Sequence, residues 1–284
     1  MPNVQDIRRR IKSVKSIEQI TKAMKMVAAA RLRKAQEKAV AGRPYTEKIK
    51  QVLSSVASGT HDASEAAHPL LEVRDVKHIA YLVISADKGL AGAYSSNVIK
   101  EALPQIAGFD NVILLTVGRK ARDYFKRRGY AIDEEYTGFS EKPTYQHAVE
   151  IAEKVVAGFT AGTYDEIHLV YTKFHSALTQ TPTSFKLLPV EDSAVVSEVQ
   201  EYIFEPSAEE VLKFLLPQYL QSVIYEALLQ SAASELGARM TAMSAATENA
   251  EELIQKLVLN YNKIRQATIT REISEIVGGA EALK

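Results

Sequence analysis

The sequence predicts a mixed fold in which a compact α/β domain lies between two long helices that pair as an antiparallel coiled coil. Two observations support this prediction. Both ends of the chain are rich in helix-forming residues and poor in glycine and proline. The middle of the chain alternates strand-length apolar runs with helical segments. The predicted domains are an N-terminal coiled-coil helix at 1–58, a central α/β domain at 75–195 and a C-terminal coiled-coil helix at 207–284.

The N-terminal helix carries one narrow apolar stripe whose members recur every three or four residues. This stripe is typical of a coiled-coil seam with a slipped heptad, since a helix lying on a broad core would show a wider face. Its members are Val4, Ile7, Ile11, Val14, Ile17, Ile20, Met24 and Val27. The one predicted interruption is Gly42-Arg43-Pro44, where the proline either kinks the helix or starts its next segment.

The C-terminal helix begins at a capping box. In the sequence SAEE, Ser207 can accept the third backbone N–H of the helix, and Glu210 can reach back to the first residue. Strand and turn signals are then absent, apart from Pro217 and Gly237, as far as about Val277. The pair Gly278-Gly279 is the predicted C-cap.

The two ends of the chain have complementary charges, although the whole chain has a net charge of zero. Residues 1–50 hold fourteen Lys or Arg against four Asp or Glu, and residues 199–284 hold seven against twelve. Each end also has an alanine-rich tract, which lets helix axes approach closely. These features favour pairing of the two helices, although exposed charge pairs individually contribute little.

The central segment predicts a largely parallel sheet, because strands and helices alternate along it. The first strand is preceded by a linker predicted at 58–74. The predicted strands are 77–85, 111–118, 165–174 and 183–190, and the predicted helices lie near 91–106, 119–128 and 144–160.

Several kinds of site are disfavoured by composition. The absence of cysteine excludes disulfides and thiolate chemistry. The six histidines have no metal-binding spacing, so neither a metal nor a cofactor is expected. No apolar run approaches the length of a membrane span, and the basic N-terminus is not followed by a signal-peptide core. A cytoplasmic protein is therefore expected.

The stretch ISADKGLAGAYSSNV, residues 84–98, is the one candidate phosphate loop. It joins the first strand to the first helix of the α/β domain, which is the right place for anion binding. Its spacing fails, because Gly89 and Gly92 are followed by Ala93 and Tyr94 rather than by the Lys of a phosphate-binding loop. A tight turn is favoured, and a nucleotide-binding enzyme stays open as an alternative.

A second alternative is a nucleic-acid adaptor that uses the basic N-terminal helix. Arg8, Arg9, Arg10, Lys12 and Lys15 cluster near its start. No aromatic residues are interleaved with them, and the acidic C-terminal helix would compete for the same surface. Nucleic-acid binding is therefore not expected. The acidic cluster Asp133-Glu134-Glu135 is interpreted as a solvated face.

Three separated motifs resemble the gamma subunit family of bacterial F-type ATP synthase, in the right order and over essentially the whole chain. They are IRRRIKSVKSIEQITKAMKMVAAARLRKAQ (7–36), SADKGLAGAYSSN (85–97) and the segment from 238 to 282. The most specific part is ITREISEIVGGAEA, which fits the C-terminal signature of the family. Its matching residues are Ile269, Thr270, Glu272, Glu275, Gly279, Ala280 and Ala282.

The resemblance implies a non-catalytic rotor shaft with a central Rossmann-like domain. Members of the family turn inside a ring of alpha and beta subunits and rest, with epsilon, on the membrane-embedded c-ring. ATP is made on the beta subunits, and the one-sided surface of the shaft imposes different conformations on them. Membrane association is expected only through the complex, at the cytoplasmic face of the cell membrane. No nucleic-acid partner is implied.

The resemblance also implies contacts with the beta subunit. A polar catch is expected at Arg239, Arg265, Gln266 and Thr270, with Glu272 close by. Met24 matches a functional methionine of the family, although its place in the apolar stripe fits packing equally well. In the 84–98 stretch, Asp87 and Lys88 are expected to face the lower lever of a beta subunit, on a tight turn permitted by Gly89 and Gly92.

Overall fold

The computed structural model describes residues 4–59, 68–109, 111–190 and 207–282. Residues 60–67 of the linker predicted at 58–74 lie outside these residues. The described residues form two long helices, three shorter helices and five strands, with a single 3-10 turn at Pro69–Leu71. The helices are α1 (Val4–Gly59), α2 (Tyr94–Ile106), α3 (Arg119–Arg127), α4 (Tyr145–Thr160) and α5 (Ala208–Ala282). The strands are β1 (Ile79–Ile84), β2 (Val112–Val117), β3 (Ile132–Tyr136), β4 (Glu166–Phe174) and β5 (Gln180–Leu188).

The five strands form one sheet in the order β3-β2-β1-β4-β5. The first four strands are mutually parallel, and β5 runs antiparallel to β4. The predicted fold class, an α/β domain between long N- and C-terminal helices, is confirmed. The central strand β1 is buried along its whole length, as expected of a parallel strand covered on both faces.

Helices cover both faces of the sheet because side chains alternate along each strand. Tyr81 and Val83 of β1 pack with α2 and α3 on one face. Leu82 and Ile84 pack on the other face with α4, the first half of α5 and the last described part of α1. The N-terminal part of α5 is thus a core helix of the α/β unit, with Leu216, Leu220 and Ile224 fully buried.

The chain forms two compact units, residues 28–239 and residues 1–27 together with 240–284. In the second unit the two helices run antiparallel, since residues further along α1 contact residues nearer the start of α5. Arg8 Nη2 donates to Tyr261 Oη at 2.8 Å. Thr247 Oγ1 donates to Thr21 Oγ1 at 2.8 Å. The predicted antiparallel pairing is confirmed, while the three-domain division at 1–58, 75–195 and 207–284 stays a prediction.

Two helix boundaries differ from what glycine and proline alone would indicate. Pro44 lies inside α1, which continues to Gly59. The predicted C-cap at Gly278-Gly279 is wrong, because α5 continues to Ala282. An exposed glycine costs a helix only about 1 kcal/mol relative to alanine, so it does not have to end one. At the other end, Ser207 Oγ accepts the Glu210 backbone N–H at 3.3 Å, as the capping box predicts.

The acidic cluster Asp133-Glu134-Glu135 lies on β3, a strand that the sequence pattern did not predict. Since β3 is an edge strand, its side chains alternate between half-buried and exposed positions. Asp133 and Glu135 are the exposed ones, which agrees with a solvated acidic face. Glu134 pairs with Lys154 of α4 at 2.8 Å.

Candidate functional site

The loop between β1 and α2, residues 85–93, lies at the C-terminal edge of the sheet, where α/β proteins bind their ligands. Two of its residues have a left-handed backbone, Leu90 with a φ of 63° and Gly92 with a φ of 55°. Glycine adopts this conformation freely, whereas leucine does so at a cost. The loop is therefore a tight turn, and one of its two left-handed positions is a leucine rather than the predicted Gly89.

The backbone N–H groups beside this loop are occupied by a carboxylate of the same chain. Asp87 Oδ2 accepts from the backbone N–H groups of Gly138 at 2.8 Å and Ser140 at 3.0 Å. Asp87 Oδ1 accepts the N–H of Arg119, the first residue of α3, at 3.2 Å. Burial alone would raise the pKa of Asp87, but these hydrogen bonds outweigh it and lower the pKa. An internal carboxylate thus joins this loop to the start of α3 and to the connection after β3.

Replacing Asp87 by Asn should remove an acid-sensitive part of the stability. Because the pKa of Asp87 is lowered on folding, its stabilisation is present above its ordinary pKa of about 3.9 and is lost as the pH falls through the folded value. In Asp87→Asn, the new amide NH₂ group would also face backbone N–H donors, from which it cannot accept a hydrogen bond. We therefore expect the free energy of unfolding to fall by about 1.5–3 kcal/mol near neutral pH. Urea unfolding of the full chain from pH 7 to pH 3 measures both effects.

The control for this prediction is Asp123→Asn, which removes an exposed carboxylate paired with Arg122 at 2.8 Å. It should change the free energy of unfolding by less than about 1 kcal/mol. An equal loss in the two variants, or an unchanged acid dependence in Asp87→Asn, would contradict the role given to Asp87.

The crevice beside β1 and β4 at this edge is filled by α5. Ser234 Oγ donates to the backbone oxygen of Thr172 at 3.1 Å. Gln230 Oε1 accepts the backbone N–H of Phe174 at 3.1 Å. Arg239 Nη2 donates to the carbonyl oxygen of Gly89 at 3.2 Å. Open α/β sheets bind ligands in this crevice, outside the C-terminal ends of the strands. Here, polar side chains of the C-terminal helix satisfy the strand ends instead.

A buried charge cluster surrounds Arg239, whose side chain is 7% exposed. Its guanidinium is 2.5 Å from Glu235 Oε1 and 3.2 Å from Glu141 Oε1. Burial raises the pKa of Glu235, although Arg239 acts in the opposite direction. Tyr94 lies in the same environment, and burial raises the pKa of its hydroxyl group as well. The cluster connects α5 to the 85–93 loop through charged hydrogen bonds.

The structure brings three of the predicted contact residues together, since Asp87, Lys88 and Arg239 all meet at this loop. The Asp87 carboxylate is turned inward and is 5% exposed, whereas Lys88 is 60% exposed and lies 3.2 Å from Glu141. Arg239 is buried as described above. Their predicted contact with a beta subunit stays a prediction, and only Lys88 of these three offers its charged group to solvent.

The other predicted contact residues belong to the paired-helix unit of residues 1–27 and 240–284. Met24 is half-buried, in agreement with its place in the apolar stripe. The remaining four are exposed or nearly so along α5, and their predicted contact with a beta subunit also stays a prediction. They are Arg265, Gln266, Thr270 and Glu272.

Two residues of the site were missed from the sequence. Leu90 has a left-handed backbone and a side chain that is 62% exposed, and nothing in the sequence GLAG marks it as such. Glu141 joins Lys88 and Arg239, but it lies about fifty residues after the loop, so only the folded sheet brings it there. No local pattern could have predicted that contact.

Neither a metal site nor a membrane span is found in the described part of the chain. Across residues 4–59, 68–109, 111–190 and 207–282, no three His, Asp or Glu side chains come together as metal ligands. No helix in these same ranges is long and apolar enough to cross a membrane.

Comparison with known proteins gives one consistent family. The family model described as ATP synthase matches residues 3–283. The ATP synthase gamma chain of Heliobacterium modesticaldum is 52% identical, with 100% of both chains covered. The sodium ion specific ATP synthase gamma chain of Acetobacterium woodii is 44% identical, with 99% of each chain covered.

Solved structures give the same result. A chain of the central stalk and c-ring structure of Tetrahymena thermophila mitochondrial ATP synthase has a TM-score of 0.61 and 26% identity, over 80% of this chain and 99% of that one. A chain of Euglena gracilis mitochondrial ATP synthase shares the fold with a TM-score of 0.71 and 19% identity, over 99% and 94% of the two chains. The chain therefore belongs to the ATP synthase gamma chain family, the central-stalk rotor subunits of F-type ATP synthase.

Proposed function

We propose that this rotor subunit has no active site of its own and acts on ATP synthesis and hydrolysis carried out by the beta subunits. The observation that carries this proposal is the filled crevice at the C-terminal edge of the sheet. The Asp87 carboxylate of this loop is bound by the N–H groups of Gly138 and Ser140, and side chains of α5 hydrogen-bond the C-terminal end of β4. A stand-alone nucleotide-binding enzyme would need this space for its substrate.

We infer that the paired helices turn inside a ring of alpha and beta subunits. The last turns of α5 support this inference, because they expose large apolar side chains that water does not favour. Ile273, Ile276 and Val277 are each more than half exposed in the isolated chain. Arg265, Gln266, Thr270 and Glu272 lie on the same stretch and would supply the orientation-dependent polar contacts.

The 85–93 loop is the proposed contact with the lower lever of a beta subunit. Asp87 holds the loop from inside, and Lys88 and Leu90 stand on its surface. A rigid loop that presents one cation and one apolar side chain loses little conformational entropy on binding. Asp87 then supports the contact indirectly, through the shape of the loop.

The α/β unit would rest, together with epsilon, on the c-ring, so that ion flow through the membrane sector turns the shaft. The membrane association is peripheral and proceeds through the complex, at the cytoplasmic face of the cell membrane. Rotation changes which face of the shaft each beta subunit contacts. The differential contacts convert rotation into changes of nucleotide affinity.

Reconstitution tests the proposal directly. Alpha and beta subunits are assembled with and without the chain, and the assemblies are analysed for stoichiometry and ATPase activity. We expect one copy of the chain to enter a complex of three alpha and three beta subunits and to raise its cooperative ATPase activity. Failure to enter that complex, or to alter its activity, would contradict the rotor function. ATP turnover by the isolated chain would favour the enzyme alternative instead.

A further inference from the structure

One carboxylate joins three separate segments of the α/β unit. Glu141 lies in the connection between β3 and α4, and its side chain is only 10% exposed. Its Oε1 is 3.2 Å from both Lys88 Nζ and Arg239 Nη1. Its Oε2 pairs with Arg31 Nη1. The three cations come from the loop after β1, from α5 and from α1, so Glu141 contacts both long helices at once.

The backbone that carries Glu141 is itself hydrogen-bonded to the loop after β1. Asp87 Oδ2 accepts the N–H groups of Gly138 and Ser140, and Ser140 Oγ accepts the N–H of Asp87 at 3.0 Å. The backbone N–H of Lys142 donates to the carbonyl oxygen of Phe139 at 2.9 Å, which closes the turn around Glu141. Glu141 therefore lies on a connection that is held by hydrogen bonds to the loop after β1.

The charges around Glu141 would be unbalanced without it. Arg31, Lys88 and Arg239 would then face one another with Glu235 as their nearby carboxylate partner. Arg31 is 37% exposed and Lys88 is 60% exposed, so solvent screens these two pairs and their contribution to stability is small. Arg239 keeps Glu235 as a buried partner when Glu141 is replaced, so the effect expected of Glu141 is on orientation more than on folding.

We propose that Glu141 is a positioning residue that fixes the α/β unit to α1 and α5 against twisting, so that torque passes between them. This inference rests on the proposed rotor function. Apolar packing of the long helices on the sheet opposes separation, and the hydrophobic effect that drives it is non-directional. The charged hydrogen bond from Arg31 of α1 to Glu141 adds a directional contact that rotation would have to break, and the ion pair with Arg239 adds an attraction to α5.

The test compares loaded and unloaded turnover in Glu141→Gln, which keeps the shape and removes the charge. In the complex of alpha, beta and this chain, ATP hydrolysis works against little load, and we expect it to stay near the unaltered level. In vesicles that contain the whole ATP synthase, gradient-driven ATP synthesis must carry full torque. We expect it to fall at least about fivefold, the low end of typical coupling effects.

Arg31→Gln should reproduce part of the defect, and the double variant should be no worse than Glu141→Gln alone, because Arg31→Gln removes one of the contacts that Glu141→Gln removes. The matched control is Glu134→Gln, which removes the Lys154 pair from the same unit and should leave both activities unchanged. Thermal unfolding of the purified chains checks that each variant folds.

The outcomes separate this inference from the proposed function. Unchanged synthesis in Glu141→Gln would overturn the positioning role, and so would an equal fall in hydrolysis and synthesis, which would indicate general damage. If the unaltered chain failed to change the ATPase activity of the alpha and beta subunits, the proposed rotor function would be wrong instead.

Discussion

Gly118→Ala is expected to destabilise the α/β unit strongly, although it adds only one methyl group. Gly118 joins β2 to α3 with a φ of 91°, which a residue with a side chain adopts only at a cost. A Cβ atom there would lie 2.4 Å from the carbonyl oxygen of Ser85. Ser85 cannot retreat freely, because its N–H donates to Val117 and its Oγ accepts the N–H of Ala121.

The combined strain and overlap should lower the free energy of unfolding by about 3 kcal/mol or more. In a unit of this size, that loss corresponds to a fall in Tm of roughly 10 °C. Differential scanning calorimetry of the full chain measures it, and the unfolding of the paired-helix unit provides an internal reference.

Gly129→Ala is the matched control, because Gly129 also has a positive φ, of 79°, but no atom within 4 Å of an added Cβ. It should cost only about 1–2 kcal/mol, the conformational penalty alone. Equal losses in the two variants would show that the close approach of Gly118 to Ser85 has no energetic consequence.

Arg239→Ala and Gln266→Ala should separate stability from coupling. Removing Arg239 leaves the buried carboxylates of Glu235 and Glu141 without their shared partner, which we expect to cost about 3–5 kcal/mol. Gln266 is exposed, so its truncation should change the free energy of unfolding by less than about 0.5 kcal/mol. Chemical denaturation of the full chain compares the two.

Coupled ATP synthesis gives the second measurement for this pair of variants. If both residues contact a beta subunit, as the family resemblance implies, both variants should lose coupling, although only Arg239→Ala should lose stability. Arg33→Ala truncates an exposed arginine of α1 and serves as a control for the change of residue type. Normal coupling in Gln266→Ala would end the proposal of a catch at that residue, and normal stability in Arg239→Ala would contradict its buried role.

The sequence predicted the fold well where the pattern was local. The strands β1, β2 and β4 are apolar runs of strand length, and such runs identify strands buried on both faces. The strand β3 was missed because its sequence, IDEEY, places three acidic residues between two apolar ones at a sheet edge. Its exposed side chains face water there, so its hydrophobic signal is weak.

The site was predicted less completely, because its contacts join distant parts of the chain. The 84–98 stretch was found from its place after a strand, and its failure as a phosphate loop followed from spacing. The contact that fixes this loop in the fold, the Asp87 carboxylate on the N–H groups of Gly138 and Ser140, depends on residues some fifty positions away. Single-sequence patterns carry no information about such pairs.

The filled crevice has a consequence for how this sheet could meet a small ligand. The side chains of Ser234, Gln230 and Arg239 already lie next to the strand ends, because the helix to which they belong holds them there. Because these side chains belong to the folded chain, they stay beside the strand ends without diffusing to them. A free molecule would therefore have to displace side chains that are already bound there. The edge of the sheet that holds a ligand in other α/β proteins holds a long helix here.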